Sequence, residues 1–234
     1  MYFLHPLKAL MSDRTDVLYV RSLFSKLLGG GPVVFGRGDE PVLALSGFFP
    51  EDWPAVNLLS LLVYKWRAEG LALPPVAAAP VVDQGAFGGH AVGRVYFDFL
   101  ELKTEAAREV NAFYHKARPV VVAVFLGGRE FEVVATTEEA SHRLALRKIA
   151  PYPHTPEGAA TLKYSHAIVF KIPPSPREFE PLVRHVADIL RQAALLPPPS
   201  KPKVKVEKKE IYLMHGGVEA EGGVLLDNEV YIYI

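Results

Sequence analysis

Between Arg94 and Ala135 the chain reads RVYFDFLELKTEAAREVNAFYHKARPVVVAVFLGGREFEVVA, and this order of apolar and polar residues leaves few folds open. Val95, Phe97 and Phe99 alternate with Tyr96, Leu100 and Leu102, so an extended segment over 94–103 is apolar on both faces and belongs inside a sheet. Thr104 is placed to cap a following helix, whose Ala106, Ala107, Val110, Phe113 and Tyr114 form one stripe before Arg118-Pro119 ends it. PVVVAVFL reads as a second buried strand, Gly127-Gly128 as a hairpin turn, and 130–135 as the returning third strand.

The same reading continues on both sides. Thr136, Thr137 and Glu139 signal a helix start before EEASHRLALRK, with Ala140 and Leu144 inward, and YSHAIVFKI at 164–172 is a fourth strand beyond the proline-broken APYPHTPEG. A helix over 176–195 follows. Strand, helix, strand, strand, helix, strand predicts an α+β fold with an RRM/ferredoxin-like βαββαβ core, extended by N-terminal helices and C-terminal strands. Upstream stand an amphipathic helix over 15–28 ended by three glycines, and two short strands around Gly36-Arg37-Gly38-Asp39. A helix from Pro50 to Gly70 comes next, followed by an edge strand, LPPVAAAPVV, ending at Asp83.

Domain organisation follows from composition shifts. Residues 1–196 read as one domain and 197–210, with Pro197-Pro198-Pro199 and five lysines, as a linker. Residues 211–234 read as a hairpin around Asp227-Asn228, expected to pack on the main domain by joining its sheet.

The chain has no cysteine, which excludes disulfides, thiolate metal sites and cysteine nucleophiles and fits a reducing or a hot compartment. Twenty-six basic and 26 acidic side chains balance, so any contact with nucleic acid must come from a local patch. No apolar run approaches the roughly 20 residues that span a bilayer, and the N-terminal MYFLHPLKALMSDR is irregular for a signal peptide, so the expected setting is the cytoplasm, without membrane partners. Twenty prolines and three methionines point to a thermophile.

Candidate chemistry begins on the 94–103 strand. A two-metal polymerase centre needs carboxylates at i and i+2 of one strand; Asp98 supplies the first, but Leu100 occupies the second position. Asp98 is therefore a residual metal or nucleotide candidate. Glu101 and Lys103, with Asp83 upstream, have instead the spacing of a PD-(D/E)xK nuclease, in which the acids bind Mg²⁺ and the lysine orients water. No cofactor is expected outside that alternative. Around the proline-rich loop, Arg147, Lys148, His154, Thr155, Lys163 and His166 are candidates to line a phosphate pocket, with Arg129 after the glycine turn facing it. The competing reading is a solvated helix end and loop.

VAVFLGGREFEVVA resembles the strand and turn of archaeo-eukaryotic primases, with Phe125, Gly127, Arg129, Phe131 and Val133 in register and Leu126, Glu130 and Glu132 departing. VYFDF stands where primases carry their paired aspartates, and HRLALRKIAPYPHTPEG is similar to a later primase stretch through Arg147, His154 and Gly158. With the second aspartate and the nucleotide-binding histidine missing, the likeness is to the small noncatalytic accessory subunit of crenarchaeal primase. It implies an archaeal replication protein that binds nucleotide or primer-template beside the catalytic and large subunits and supports primer initiation without catalysis of its own. Two alternatives stay open: the nuclease, and a non-enzymatic module whose C-terminal strands complete a partner's sheet.

Overall fold

The computed structural model describes residues 39–83, 105–150, 155–163, 165–174 and 179–199, with short strands at 210–211, 220–221, 224–226 and 229–231. The expected helix over 15–28, the first strand of the Gly36–Asp39 hairpin and the whole 94–103 strand lie outside them, as do Asp98, Glu101, Lys103 and His154.

In chain order the body contains β1 (Val42–Leu45), a 3-10 turn (Pro50–Asp52), α1 (Trp53–Ala68), β2 (Val76–Ala79), α2 (Glu105–Ala117), β3 (Val121–Gly127) and β4 (Glu132–Ala135). After these come α3 (Glu138–Leu144), β5 (Arg147–Lys148), α4 (Pro156–Lys163), β6 (His166–Ile172) and α5 (Phe179–Ala193). The six strands form one sheet in the order β2-β1-β3-β6-β4-β5. β2, β1, β3 and β6 are mutually parallel, β4 runs antiparallel to β6, and β5 runs parallel to β4.

This mixed α/β sheet corrects the expected RRM/ferredoxin-like core. The Gly127-Gly128 hairpin does not form, because β6 stands between β3 and β4. The physical reason is the composition of β6: HAIVFKI is buried over all but Lys171, and a strand covered on both faces needs hydrogen-bonded neighbours on both sides. β3 and β4 supply them, and residues 128–131 bridge the two strand spacings, about 10 Å, between them. Among the described residues β3, β4 and β6 thus lack the neighbour order that an RRM-like core requires. The accessory-subunit reading, its catalytic and large-subunit partners and its primer-template role lose their basis together.

Side chains alternate cleanly between two cores. Val42, Ala44, Val121, Ala123, Phe125, Ile168, Phe170 and Ile172 face α1 and α5, which bring Leu58, Leu62, Val183, Val186 and Leu190. Leu43, Leu45, Ala77, Ala79, Val122, Val124, Ala167 and Val169 face α2 and α4, which bring Ala107, Val110, Tyr114 and Ala160. At the centre, Phe125 and Phe170 are register partners whose rings stack 4.6 Å apart and nearly parallel. On the α2/α4 side a hydrogen-bonded chain closes the amino ends of β3 and β6. Ser165 Oγ donates to the Pro119 carbonyl at 2.6 Å, and the Tyr114 hydroxyl donates to the Ala160 carbonyl.

The chain divides into two compact units, Met1–Pro199 and Ser200–Ile234. Within the second, β7 (Glu210–Ile211) pairs with β8 (Ala220–Glu221), and β9 (Val224–Leu226) pairs with β10 (Glu229–Tyr231) across residues 227–228. Among the described residues these are separate two-stranded sheets. Among the described residues no helix is long and apolar enough to cross a membrane.

Candidate functional site at the carboxyl edge of the sheet

In a parallel sheet all strands point their carboxyl ends one way, and ligands gather outside that edge where successive connections leave in opposite directions. Here β1 leads to β2 on one side while β3 lies on the other. Its continuation is held by alternating backbone bonds: Ser46 N donates to Ala79 O, Val82 N to Ser46 O and Asp83 N to Gly47 O. Gly47 is required there. It sits at φ +70, and a Cβ would stand 2.7 Å from Val81 Cα. Ser46 Oγ ties the same loop to the Phe125 carbonyl of β3 at 2.9 Å.

Asp52 closes the loop. Its Oδ2 accepts from Phe48 N and Phe49 N, each at 3.0 Å, and its Oδ1 accepts from Gly127 N at 2.8 Å. The carboxyl group is 2% exposed, and burial pushes its pKa up from 3.8 to about 6 against the three amides that favour the charged form. A Cβ on Gly127 would stand 2.1 Å from the Glu51 carbonyl oxygen, so only glycine lets the 3-10 turn seat on β3.

Beyond Gly128, whose N–H donates to Ile172 O, the edge becomes charged. Lys171 near the end of β6 lies opposite Glu132 of β4 and bonds it at 2.7 Å, and Arg147 of β5 pairs with the other oxygen of the same carboxylate. Arg147 first and then Lys171 hold Glu132 down to about 2. On α4, burial raises the Glu157 pKa, Thr155 and Lys171 oppose that rise, and the buried Oε2 has no hydrogen-bond partner. One carboxylate shared by two cations thus borders a second, buried carboxyl.

The sequence-derived phosphate cluster is divided among these surroundings. Arg147 belongs to the charged row. Lys148 pairs with Glu138 at 3.0 Å and lowers its pKa. Thr155 Oγ1 accepts from Gly158 N and so caps α4. Lys163 ends α4, and His166 begins β6, about 17 Å along the strand from Lys171. His166 is 1% exposed with both ring nitrogens engaged, and burial holds its pKa below the ordinary value. Arg129 is exposed just past β3, and Asp83 is buried at the end of the β2 loop.

Asp52, Glu132, Glu157 and Lys171 were not singled out by the sequence. The signal for Glu157 was present: Thr155-Pro156-Glu157 places a cap, a proline and an acid at the first turn of a helix. Asp52 carries no comparable mark for its long-range bond, since Gly127 is 75 residues away. Among the described residues no group of three or more His, Asp or Glu side chains is placed to hold a metal ion.

No protein-family model and no curated protein matches the chain. Among solved structures it is similar to murein-tripeptide amidase MpaA from Escherichia coli O157, with TM-score 0.45 and 14% identity over 70% of this chain and 88% of that one. It is also similar to succinylglutamate desuccinylase from Chromobacterium violaceum, with TM-score 0.43 and 13% identity over 79% and 73%. Neither is a primase or a nuclease. The strand order corrects the accessory-subunit reading directly, and the Asp83, Glu101, Lys103 nuclease gains no support, since two of its three residues lie outside the described chain.

Proposed function

We propose that this chain binds a small anionic molecule at the carboxyl edge of its sheet, where Lys171 and Arg147 receive a carboxylate or phosphate group. The observation that carries this reading is the sharing of Glu132 between the two cations. Their side chains remain 41% and 62% exposed, so the internal carboxylate occupies a position that a ligand's oxygens can take. Arginine presents a planar fork and lysine a point charge, a pairing suited to a two-oxygen anion. Asp52 and Gly127 are positioning residues that fix the neighbouring loop.

Titration calorimetry of the full chain with succinate and with inorganic phosphate tests this. Saturable binding of at least one probe is expected, weakened about tenfold or more by Lys171→Met and by added salt. Absence of binding by both probes, or equal affinity in Lys171→Met, overturns the reading.

A further inference from the structure

The charged row already carries an occupant. We propose, resting on the anion-binding reading above, that Glu132 is an intramolecular competitor for the site: its carboxylate fills the seat between Lys171 and Arg147, and a small dianion enters by taking that seat.

Sheet geometry sets the three side chains on one face. Lys171 is the register partner of Glu132, and register partners project to the same side. Arg147 is the register partner of Val134, two residues beyond Glu132 on β4, so it projects to that side as well and reaches Glu132 diagonally. The Lys171 stem is lodged against the chain at Gly128, where a Cβ would stand 2.8 Å from Lys171 Cβ. The two cations therefore converge on a place that the backbone defines. Glu132 is the group found there, 2.7 Å from Lys171 Nζ through one oxygen and bonded to Arg147 through the other.

A carboxylate with a cation on each oxygen is also the arrangement a ligand's carboxylate or phosphate would adopt in this seat. Two such groups in contact repel, so a ligand that uses both cations displaces Glu132. The exchange asks for no movement of the sheet. Glu132 is 34% exposed, and rotation about its own side-chain bonds turns the carboxylate into water. Because it is tethered, Glu132 competes at an effective concentration in the millimolar range or above, without the loss of translational freedom that a free ligand bears. A monocarboxylate brings nothing that Glu132 lacks. A dianion brings a second charge that both cations attract, which is why the site takes a dicarboxylate or a phosphate group.

Titration calorimetry of the full chain compares the parent, Glu132→Gln and Glu130→Gln, each with succinate, inorganic phosphate and acetate. Glu130 is exposed on the segment between β3 and β4, so its neutralisation removes the same charge from the neighbourhood without vacating the seat. Glu132→Gln is expected to bind the dianions at least about fivefold more tightly than the parent, Glu130→Gln to show less than half that gain, and acetate to bind the parent at least about tenfold more weakly than the better dianion. Glu132→Met, uncharged and of similar length, repeats the test should the glutamine variant fail to fold. Equal dianion affinity in the parent and Glu132→Gln, or an equal gain in Glu130→Gln, overturns the competition while leaving the anion site standing. Acetate binding the parent as tightly as the dianions overturns the ligand class, and no binding by any of the three proteins overturns the site and its occupant together.

Discussion

The Oδ1 atom of Asp52 accepts the amide hydrogen of Gly127 at 2.8 Å, and this one bond joins the loop after β1 to the end of β3 across 75 residues of sequence. Asp52→Ala leaves three amides without their acceptor, at about 1–3 kcal/mol for each that water does not reach. Urea unfolding of the variant at neutral pH measures the loss.

The same carboxyl gives stability a definite pH dependence. Its folded pKa of about 6 lies above the 3.8 of the free group, so between these values the folded chain holds more proton than the unfolded one. Its contribution is complete below the lower value and is lost as pH rises through the upper one, a fall of about 3 kcal/mol between the limits. Glu157 shifts the same way, while Glu132 and His166 shift the opposite way. The difference between the parent chain and Asp52→Asn, followed from pH 4 to pH 7, isolates the Asp52 share. A difference that does not change with pH contradicts the assignment.

Gly127→Ala places a methyl group against the Glu51 carbonyl, which is backbone and cannot turn aside. An overpacking loss of about 1–3 kcal/mol is expected, together with increased amide exchange at Gly127 as its bond to Asp52 opens. Unchanged exchange there separates simple crowding from displacement of the 3-10 turn.

Phe125→Ala empties the stack with Phe170 in the middle of the sheet, where both rings are fully buried. A loss of about 3–5 kcal/mol is expected in chemical denaturation. Phe125→Leu, which keeps most of the volume, is expected to cost less than half as much.

Thr137→Ala removes the cap of α3 and the hydroxyl donor to His166 together, so its cost should exceed the roughly 1 kcal/mol of a simple cap. Thr137→Ser retains both bonds and serves as the control, compared by thermal unfolding.

Much of the secondary structure was legible because it rests on local signals. The 50–70 helix, the 120–127 strand, the Thr137 cap and the strand ending at Ile172 all follow from periodicity, capping and proline placement within a few residues. The sheet order was not legible. Gly127-Gly128 has the composition of a hairpin turn, and nothing near it reports that a strand 40 residues later will enter between its arms. The charged row was hidden for the same reason, since Lys171 reaches Glu132 only once β6 lies beside β4. The sequence hides α4 behind three prolines, at 151, 153 and 156, although Pro156 sits at a helix's first turn, where proline is welcome.

The position of β6 also sets an order of events during synthesis. Until residues 166–172 emerge, β2-β1-β3 and β4-β5 are two separate ribbons, each with one strand edge unpaired toward the other. Completion waits on one of the later segments to appear, and a nascent or truncated chain ending before it exposes those edges to other chains. Such a fold depends on its last central strand arriving before a neighbouring molecule's strand takes the place.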